Sequence, residues 1–185
     1  MSEPTLRSAH LFTLSLDVDP NFTDVGETPY GRRRIATVKG GTFEGEELKG
    51  TVLPTPAGDW LLLRRDGILM LDVRLTLKTD DNHLIYMSYR GMRHGPAWVI
   101  EALNKGEKVD PSQYYFRSTP YFETSSEKYR FLNRIVCVAT GRRDPERTGL
   151  RGLPDPLILV VLSAAKDLRL QHRGVEMPDP SLRSG

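Results

Sequence analysis

Between Ile68 and Leu77 the chain reads Ile-Leu-Met-Leu-Asp-Val-Arg-Leu-Thr-Leu. Successive side chains of a β-strand point to opposite faces. One face therefore carries Leu69, Leu71, Val73, Leu75 and Leu77, an unbroken apolar stripe. The other carries Ile68, Met70, Asp72, Arg74 and Thr76, with an acid and a base two residues apart and close enough to pair. That second face either looks at solvent or lines a polar cavity, and the choice decides whether it is a surface or a site.

Strand signals dominate the rest of the chain. His10–Val18 alternates in part and ends at Asp19-Pro20-Asn21. A loop with Gly26, Pro29 and Gly31 follows, then a short strand over Ile35–Lys39 closed by Gly40-Gly41. Thr42–Leu53 carries Gly45 and Gly50 and suits a bent strand or bulged hairpin. Trp60–Arg65 reads as a strand, and Asp66-Gly67 as a hairpin turn into Ile68. Thr79–Asn82 is a second turn, and Leu84–Arg90 the next strand, with Tyr86 and Tyr89 on opposite faces. Ala97–Leu103, with Pro96 before it and Gly106 beyond, is helix-like. Tyr114–Thr119 returns to strand until Pro120 interrupts it. Thr124-Ser125-Ser126-Glu127 fits a capping box, which predicts a helical turn or two over Ser125–Leu132. Asn133–Thr140 and Leu157–Leu162 are the last strands, separated by a polar, turn-rich stretch. Many short strands with one or two short helices predict an all-β fold, an antiparallel barrel or sandwich. We read one domain over residues 1–165 and a mobile C-terminal tail over 166–185, which is proline-containing and poor in apolar residues.

Composition narrows the function. The net charge is +2, and the short run Arg32-Arg33-Arg34 has no wider basic patch or interleaved aromatics around it, which argues against nucleic acid. No apolar run approaches the roughly 18 residues of a membrane span, and no basic region precedes an apolar stretch at the N-terminus. We expect a cytoplasmic protein. The single cysteine, Cys137, sits in an apolar strand-like run and reads as a buried, inert thiol. The four histidines (His10, His83, His94, His172) are scattered without zinc-like spacing. Nucleotide-loop and nucleophile-elbow motifs are absent, so neither a metal nor a cofactor is expected.

What remains is a set of charged and amide groups embedded in apolar and aromatic surroundings. Asp59-Trp60 lies at a strand start, Asp72 has Arg74, Tyr86 and Tyr89 share a strand, and Glu123 is placed to meet Arg117 across a turn. Leu132-Asn133 is embedded in the same way. Such pairs can merely latch strands together. They can equally serve chemistry, because a carboxylate in an apolar interior has a raised pKa unless a cation offsets it, and can then transfer protons near neutral pH. An Arg and an Asn beside it can hold an anionic or carbonyl oxygen, and a Tyr can donate a proton or stack on a ring.

The ordered series Gly31-Arg32-Arg33-Arg34-Ile35, Gly40-Gly41-Thr42-Phe43-Glu44-Gly45, Gly50-Thr51-Val52-Leu53-Pro54 and Gly58-Asp59-Trp60 is a family pattern. It continues through Leu71-Asp72-Val73-Arg74, Thr79-Asp80-Asp81, Tyr89-Arg90-Gly91, Tyr115-Phe116-Arg117, Phe122-Glu123-Thr124 and Leu132-Asn133-Arg134. Over about residues 10–141 the chain resembles the bacterial family called domain of unknown function 3237, also uncharacterised protein family 0311. The resemblance implies an antiparallel β-barrel, broadly like lipocalin or allene oxide cyclase barrels, with no established general activity. It marks Asp59, Asp72, Arg74, Tyr89, Arg117, Glu123 and Asn133 as site candidates. The chain departs from the family pattern in the proline-rich turn Pro54–Gly58 and beyond about Pro156.

The sequence therefore predicts catalytic roles for Asp59, Glu123, Asp72 and Tyr89, and substrate contacts for Arg34, Trp60, Arg74, Tyr86, Arg117 and Asn133. The expected activity is a cofactor-independent lyase, isomerase or cyclase acting on a small aromatic or carbonyl-containing molecule. A non-catalytic ligand-binding barrel and a purely structural or oligomerisation module stand as alternatives. On this reading the Asp72–Arg74 face is a cavity wall, and finding those two side chains in bulk solvent would sink both the enzymatic and the ligand-binding readings built on it. The Leu stripe would then face outward and need cover from the helices or a second subunit, which favours a homo-oligomer.

Overall fold

The computed structural model of the protein describes residues 8–143 and the strand 157–163. Its strands are β1 (Ala9–Val18), β2 (Thr23–Thr28), β3 (Gly31–Glu44), β4 (Lys49–Val52), β5 (Gly58–Leu63) and β6 (Leu69–Thr79). They continue with β7 (Leu84–His94), β8 (Tyr115–Glu123), β9 (Cys137–Arg143) and β10 (Leu157–Ser163). One helix, α1 (Ala97–Asn104), links β7 to β8, and short 3-10 turns cover Pro111–Gln113 and Arg130–Arg134. The tail expected over 166–185 lies outside the described residues.

All pairings are antiparallel. They run β1–β10–β9–β8–β7–β6–β4–β3–β2, with β5 bridging β3 and β6. Because β3 also pairs with β1, the order of pairings returns to its first strand. Leu157–Ser163, where the family pattern gave no guidance, pairs with β1 on one side and β9 on the other.

Strand β3 holds this arrangement together by serving four neighbours. Its first half pairs with β2 and β5, and its second half with β1 and β4. The predicted stop at Gly40-Gly41 is instead a bend within one strand. Both glycines have φ near +150°, and a Cβ on Gly41 would lie 2.2 Å from the Ser15 carbonyl oxygen. Only glycine lets β1 approach so closely while the chain turns. The expected loop before β3 is mostly strand β2, which folds back on β3 through Thr28–Gly31, where the Thr28 hydroxyl donates to the Gly31 carbonyl at 2.7 Å.

Two other expectations differ. β8 continues through Pro120, which pairs with Tyr89. β9 pairs with β8 only at Arg117 and Ser118, so no ladder on that side needs the amide hydrogen that proline lacks. The predicted capping box is not made: the Thr124 hydroxyl donates to the Leu84 carbonyl and accepts from the Ser126 amide, which leaves a turn and then the 3-10 segment.

The interior has a packed end and a hollow end. At the packed end Phe12 meets Phe43 and Phe122, with ring centroids 5.5 and 5.8 Å apart, among Leu75, Leu77, Ile85 and Met87. Cys137 is buried there, and burial pushes its thiol up to about 12. The apolar stripe of β6 faces inward along its whole length. Its polar face looks outward: Asp72 and Arg74 pair at 3.1 Å with side chains 32% and 45% exposed, and Arg74 lies over the Trp60 ring at 5.1 Å. The hydrophobic effect decides the orientation, because burying five aliphatic side chains outweighs anything a half-exposed ion pair contributes. This corrects the expected facing of β6 and removes the ground it offered for a homo-oligomer.

The facing is testable by equilibrium unfolding in urea. Leu75→Ala is expected to lose about 2–5 kcal/mol, and Asp72→Ala less than about 1 kcal/mol. Equal losses would overturn the assignment.

Candidate functional site

The hollow end is a cavity of about 380 Å3. Its apolar wall comes from Leu16, Val18, Val38, Leu61, Leu71 and Phe116, among others, and its polar groups include Asp59, Tyr89, Arg34, Arg93 and Arg143.

Strand register assembles these groups. Val73 on β6 pairs with Asp59 on β5 and with Tyr89 on β7, so the acid and the phenol flank it in one row across three strands. Two strand spacings, about 10 Å, separate their backbones, and both side chains are buried on the inner face, where they line the cavity. Four residues on, Arg93 pairs with Leu69 and Phe116 at the next level but one. The inner face of β7 therefore reads Ile85, Met87, Tyr89, Gly91, Arg93, changing from apolar to polar along its length.

Asp59 is 7% exposed. The β5–β6 ladder skips Trp60 and Leu61, and the Asp72 amide in that gap donates to Asp59 Oδ1 at 3.0 Å. Burial raises the Asp59 carboxyl to about 7. The Asp72 amide, Arg93 and Arg33 pull the other way, and the Asp72 charge adds to the rise. Tyr89 is 1% exposed, and its hydroxyl has no hydrogen-bond partner. Burial first, and the Asp59 charge second, hold its pKa well above 10.0, so it remains a proton donor in hydrogen bonds. Arg93 is 9% exposed with its Nε unpartnered. Burial, and then the neighbouring Arg143, bring its guanidinium down to about 10, still charged at neutral pH. Arg34 is half-buried at the rim, with its guanidinium 5.5 Å from the Phe22 ring centre.

Of the residues predicted from sequence, the structure brings Asp59, Tyr89 and Arg34 together in this cavity. Asp72, Arg74 and Tyr86 line a shallow groove on the outer face instead, with Trp60 beside Arg74. The exposure of Asp72 and Arg74 overturns the cavity expected behind them; the cavity present lies on the opposite face. Arg117 and Glu123 do not meet across a turn. They lie on one strand six residues apart, about 20 Å, and both point outward. Arg117 donates to the Phe116 carbonyl at 2.9 Å and stacks on Tyr115. Asn133 is a latch: its side chain accepts from the Thr124 amide and donates to the Thr124 carbonyl, each at 2.8 Å. The Thr79-Asp80-Asp81 motif is likewise structural, since Asp81 is held ionised by Lys128, Thr79 and Tyr129.

The family pattern matches residues 5–163, under the description protein of unknown function (DUF3237). The chain belongs to the DUF3237 family. UPF0311 protein RPA1785 of Rhodopseudomonas palustris is 35% identical over 144 residues, which span 78% of this chain and 93% of that protein. The RPA1785 crystal structure superposes with a TM-score of 0.77, covering 86% of this chain and 98% of its own. A protein of Acinetobacter baumannii AYE described as beta-barrel like gives 0.71 at 36% identity, covering 88% and 98%. A protein of Penicillium herquei described as an enzyme gives 0.58 at 20% identity, covering 87% and 98%, a likeness of fold.

Sequence reasoning missed Arg93 in this DUF3237 chain, although a signal was present. Ending the strand at Arg90 hid that Arg93 keeps the period-two phase of Ile85, Met87 and Tyr89. An arginine in phase with an apolar stripe is an arginine pointing inward. Among the described residues no group of three or more His, Cys, Asp or Glu can hold a metal ion, and no helix is long and apolar enough to cross a membrane.

The raised Asp59 carboxyl predicts a pH dependence of stability. Between its ordinary 3.8 and about 7 the native state holds a proton that the unfolded chain has released. Stability is therefore greatest below that window and falls as pH rises through it, by up to about 4 kcal/mol. Asp59→Asn removes the titration. Urea unfolding is expected to find the variant more stable than wild type at pH 8, with the difference shrinking toward pH 5. A constant difference across that range would show that Asp59 titrates normally in the folded protein.

Proposed function

We propose that the protein is a cofactor-independent enzyme of the lyase, isomerase or cyclase type that moves protons on a small aromatic or carbonyl-containing molecule in the cavity. One observation carries this reading: a buried carboxyl poised near neutrality shares an apolar cavity with a buried phenol that lacks a hydrogen-bond partner. A general acid–base group works best with a pKa near the working pH, and Asp59 meets that requirement. An unsatisfied buried donor is expensive to maintain unless something else occupies its lone direction. A substrate oxygen is such a partner.

In this scheme the Asp59 carboxylate takes a proton from the carbon beside a substrate carbonyl. Negative charge grows on the carbonyl oxygen, where the Tyr89 O–H donates a hydrogen bond, and Arg93 adds positive charge from elsewhere on the cavity wall. The proton on Asp59 then returns to a different atom, which completes an isomerisation, or a leaving group departs, which completes an elimination. For a conjugated enone, Asp59 instead takes the proton of a hydroxyl of the same molecule as its oxygen adds to the β-carbon, the C=C pair shifts to give the enolate, and the proton on Asp59 then goes to the α-carbon, which closes the ring. Leu61, Leu71 and Phe116 exclude water and strengthen each of these interactions. A non-catalytic binder is the alternative reading, supported by the same cavity with Asp59 serving only as a hydrogen-bond partner.

Deuterium exchange separates the two without requiring the natural product. The protein is incubated in D2O with a panel of aryl ketones and conjugated enones, and proton NMR follows loss of the α-proton signals. Catalysed exchange is expected for compounds that bind. Asp59→Asn should slow it by about 100-fold or more, and Tyr89→Phe by about 100-fold with little change in binding. Compounds that bind but never exchange would sink the enzymatic reading in favour of the binder.

A further inference from the structure

The charged groups of the cavity do not balance. Among the described residues Arg34 and Arg93 line it together with one carboxyl, that of Asp59, while Arg143 lines it too but is engaged in contacts of its own. Two guanidinium groups against one carboxyl whose burial favours its neutral form leave this lining with a net positive charge. Arg93 is the decisive member. It is 9% exposed, its Nε lacks any hydrogen-bond partner, and the groups acting on it include two further arginines, Arg143 and Arg34. A buried cation is normally paired. The fold gains nothing from leaving one unpaired, since the stripe it continues is otherwise Ile85, Met87 and Tyr89. Guanidinium groups are also the preferred partners of carboxylate-like oxygens, because their planar fork offers several donors.

We propose that the cavity is built for a small organic anion, a carboxylate, phenolate or enolate whose charged oxygen sits against Arg93 with Arg34 and Arg143 around it. The apolar body of the ligand lies against Leu16, Leu61, Leu71 and Phe116, and its uncharged end reaches Asp59 and the free Tyr89 hydroxyl. A volume of about 380 Å3 is at the small end for ligand pockets and suits a compact planar molecule. This assignment rests on the reading of the cavity as the working site and adds the charge of what enters it. It also gives the cations a division of labour: Arg34 at the half-buried rim attracts the anion, and Arg93 inside anchors it.

Two compounds of nearly equal shape test it, 2-naphthoate and 2-naphthamide, titrated calorimetrically into the full-length protein at pH 7. The naphthoate is expected to bind at least about tenfold tighter. Arg93→Met should abolish that advantage while leaving naphthamide affinity within about twofold, because a buried uncharged side chain of similar length keeps the wall intact. If Arg93→Met does not fold, Arg34→Met provides the same comparison at the rim. Leu71→Trp, which fills the cavity, should eliminate both ligands. Equal binding of the two compounds, or an equal loss of both in Arg93→Met, overturns the anion assignment and leaves the cavity as a ligand site. Failure of both to bind, or binding that Leu71→Trp does not affect, overturns the assignment together with the cavity reading.

Discussion

The register between β6 and β7 governs everything of functional interest in this molecule. These strands pair without a break from Leu69↔Arg93 to Lys78↔Leu84. Because side chains alternate with a period of two, a slip of one residue with the apolar stripe of β6 still inside would turn Tyr89 and Arg93 outward. The hydrophobic stripe of β6 therefore does more than build the core. By fixing which face of β6 is inside, it fixes which residues of β7 face the cavity. The same stripe is divided between two tasks, with Leu75 and Leu77 in the packed end and Leu69, Leu71 and Val73 forming cavity wall.

The sequence pattern makes the two faces of β6 legible, but an acid–base pair set among apolar residues points to the wrong one as the inside. An acid–base pair embedded among apolar residues resembles a site, yet Asp72 and Arg74 neutralise each other locally and Arg74 finds a platform on Trp60. Nothing in that arrangement requires burial. Asp59 was legible because a strand-start acid beside a tryptophan is unusual in an otherwise leucine-rich strand. Its partner relationship with Tyr89 was not, since it arises only when β5, β6 and β7 are laid side by side. Asn133 and Asp81 belong to motifs shared with the family, and their contacts show why such motifs mislead. A side chain that latches a turn, as Asn133 does on Thr124, is as specific in residue type as one that touches substrate.

Closing the fold depends on chain geometry that composition does not report. β3 pairs with four strands because two glycines let it bend in mid-course. A sequence reading treats Gly-Gly as punctuation and ends the strand there, whereas the structure uses it as a corner. Pro120 is the mirror case: proline reads as a terminator, but on a stretch of β8 without a β9 partner its missing amide hydrogen has no consequence. Both errors have one origin. The effect of a special residue depends on whether a neighbouring strand needs the group it lacks or gains from the approach it permits.

Asp59 has no structural necessity that would account for it. On its row lie Ala36, Val73 and Tyr89, and the next inward residue of its own strand is Leu61. A leucine there would complete an aliphatic wall, and the Asp72 amide would be left to find water in the ladder gap. One hydrogen bond of roughly 1 kcal/mol is set against a carboxyl whose burial opposes ionisation by about 4 kcal/mol near neutral pH. The fold therefore carries a net penalty at this position, and Arg93 adds a second of the same kind two strands away, across β6. Two uncompensated ionisable groups in one cavity, of opposite sign and without a direct bond between them, are best explained by what would lie between them. A ligand that accepts from the guanidinium and exchanges a proton with the carboxyl satisfies both at once.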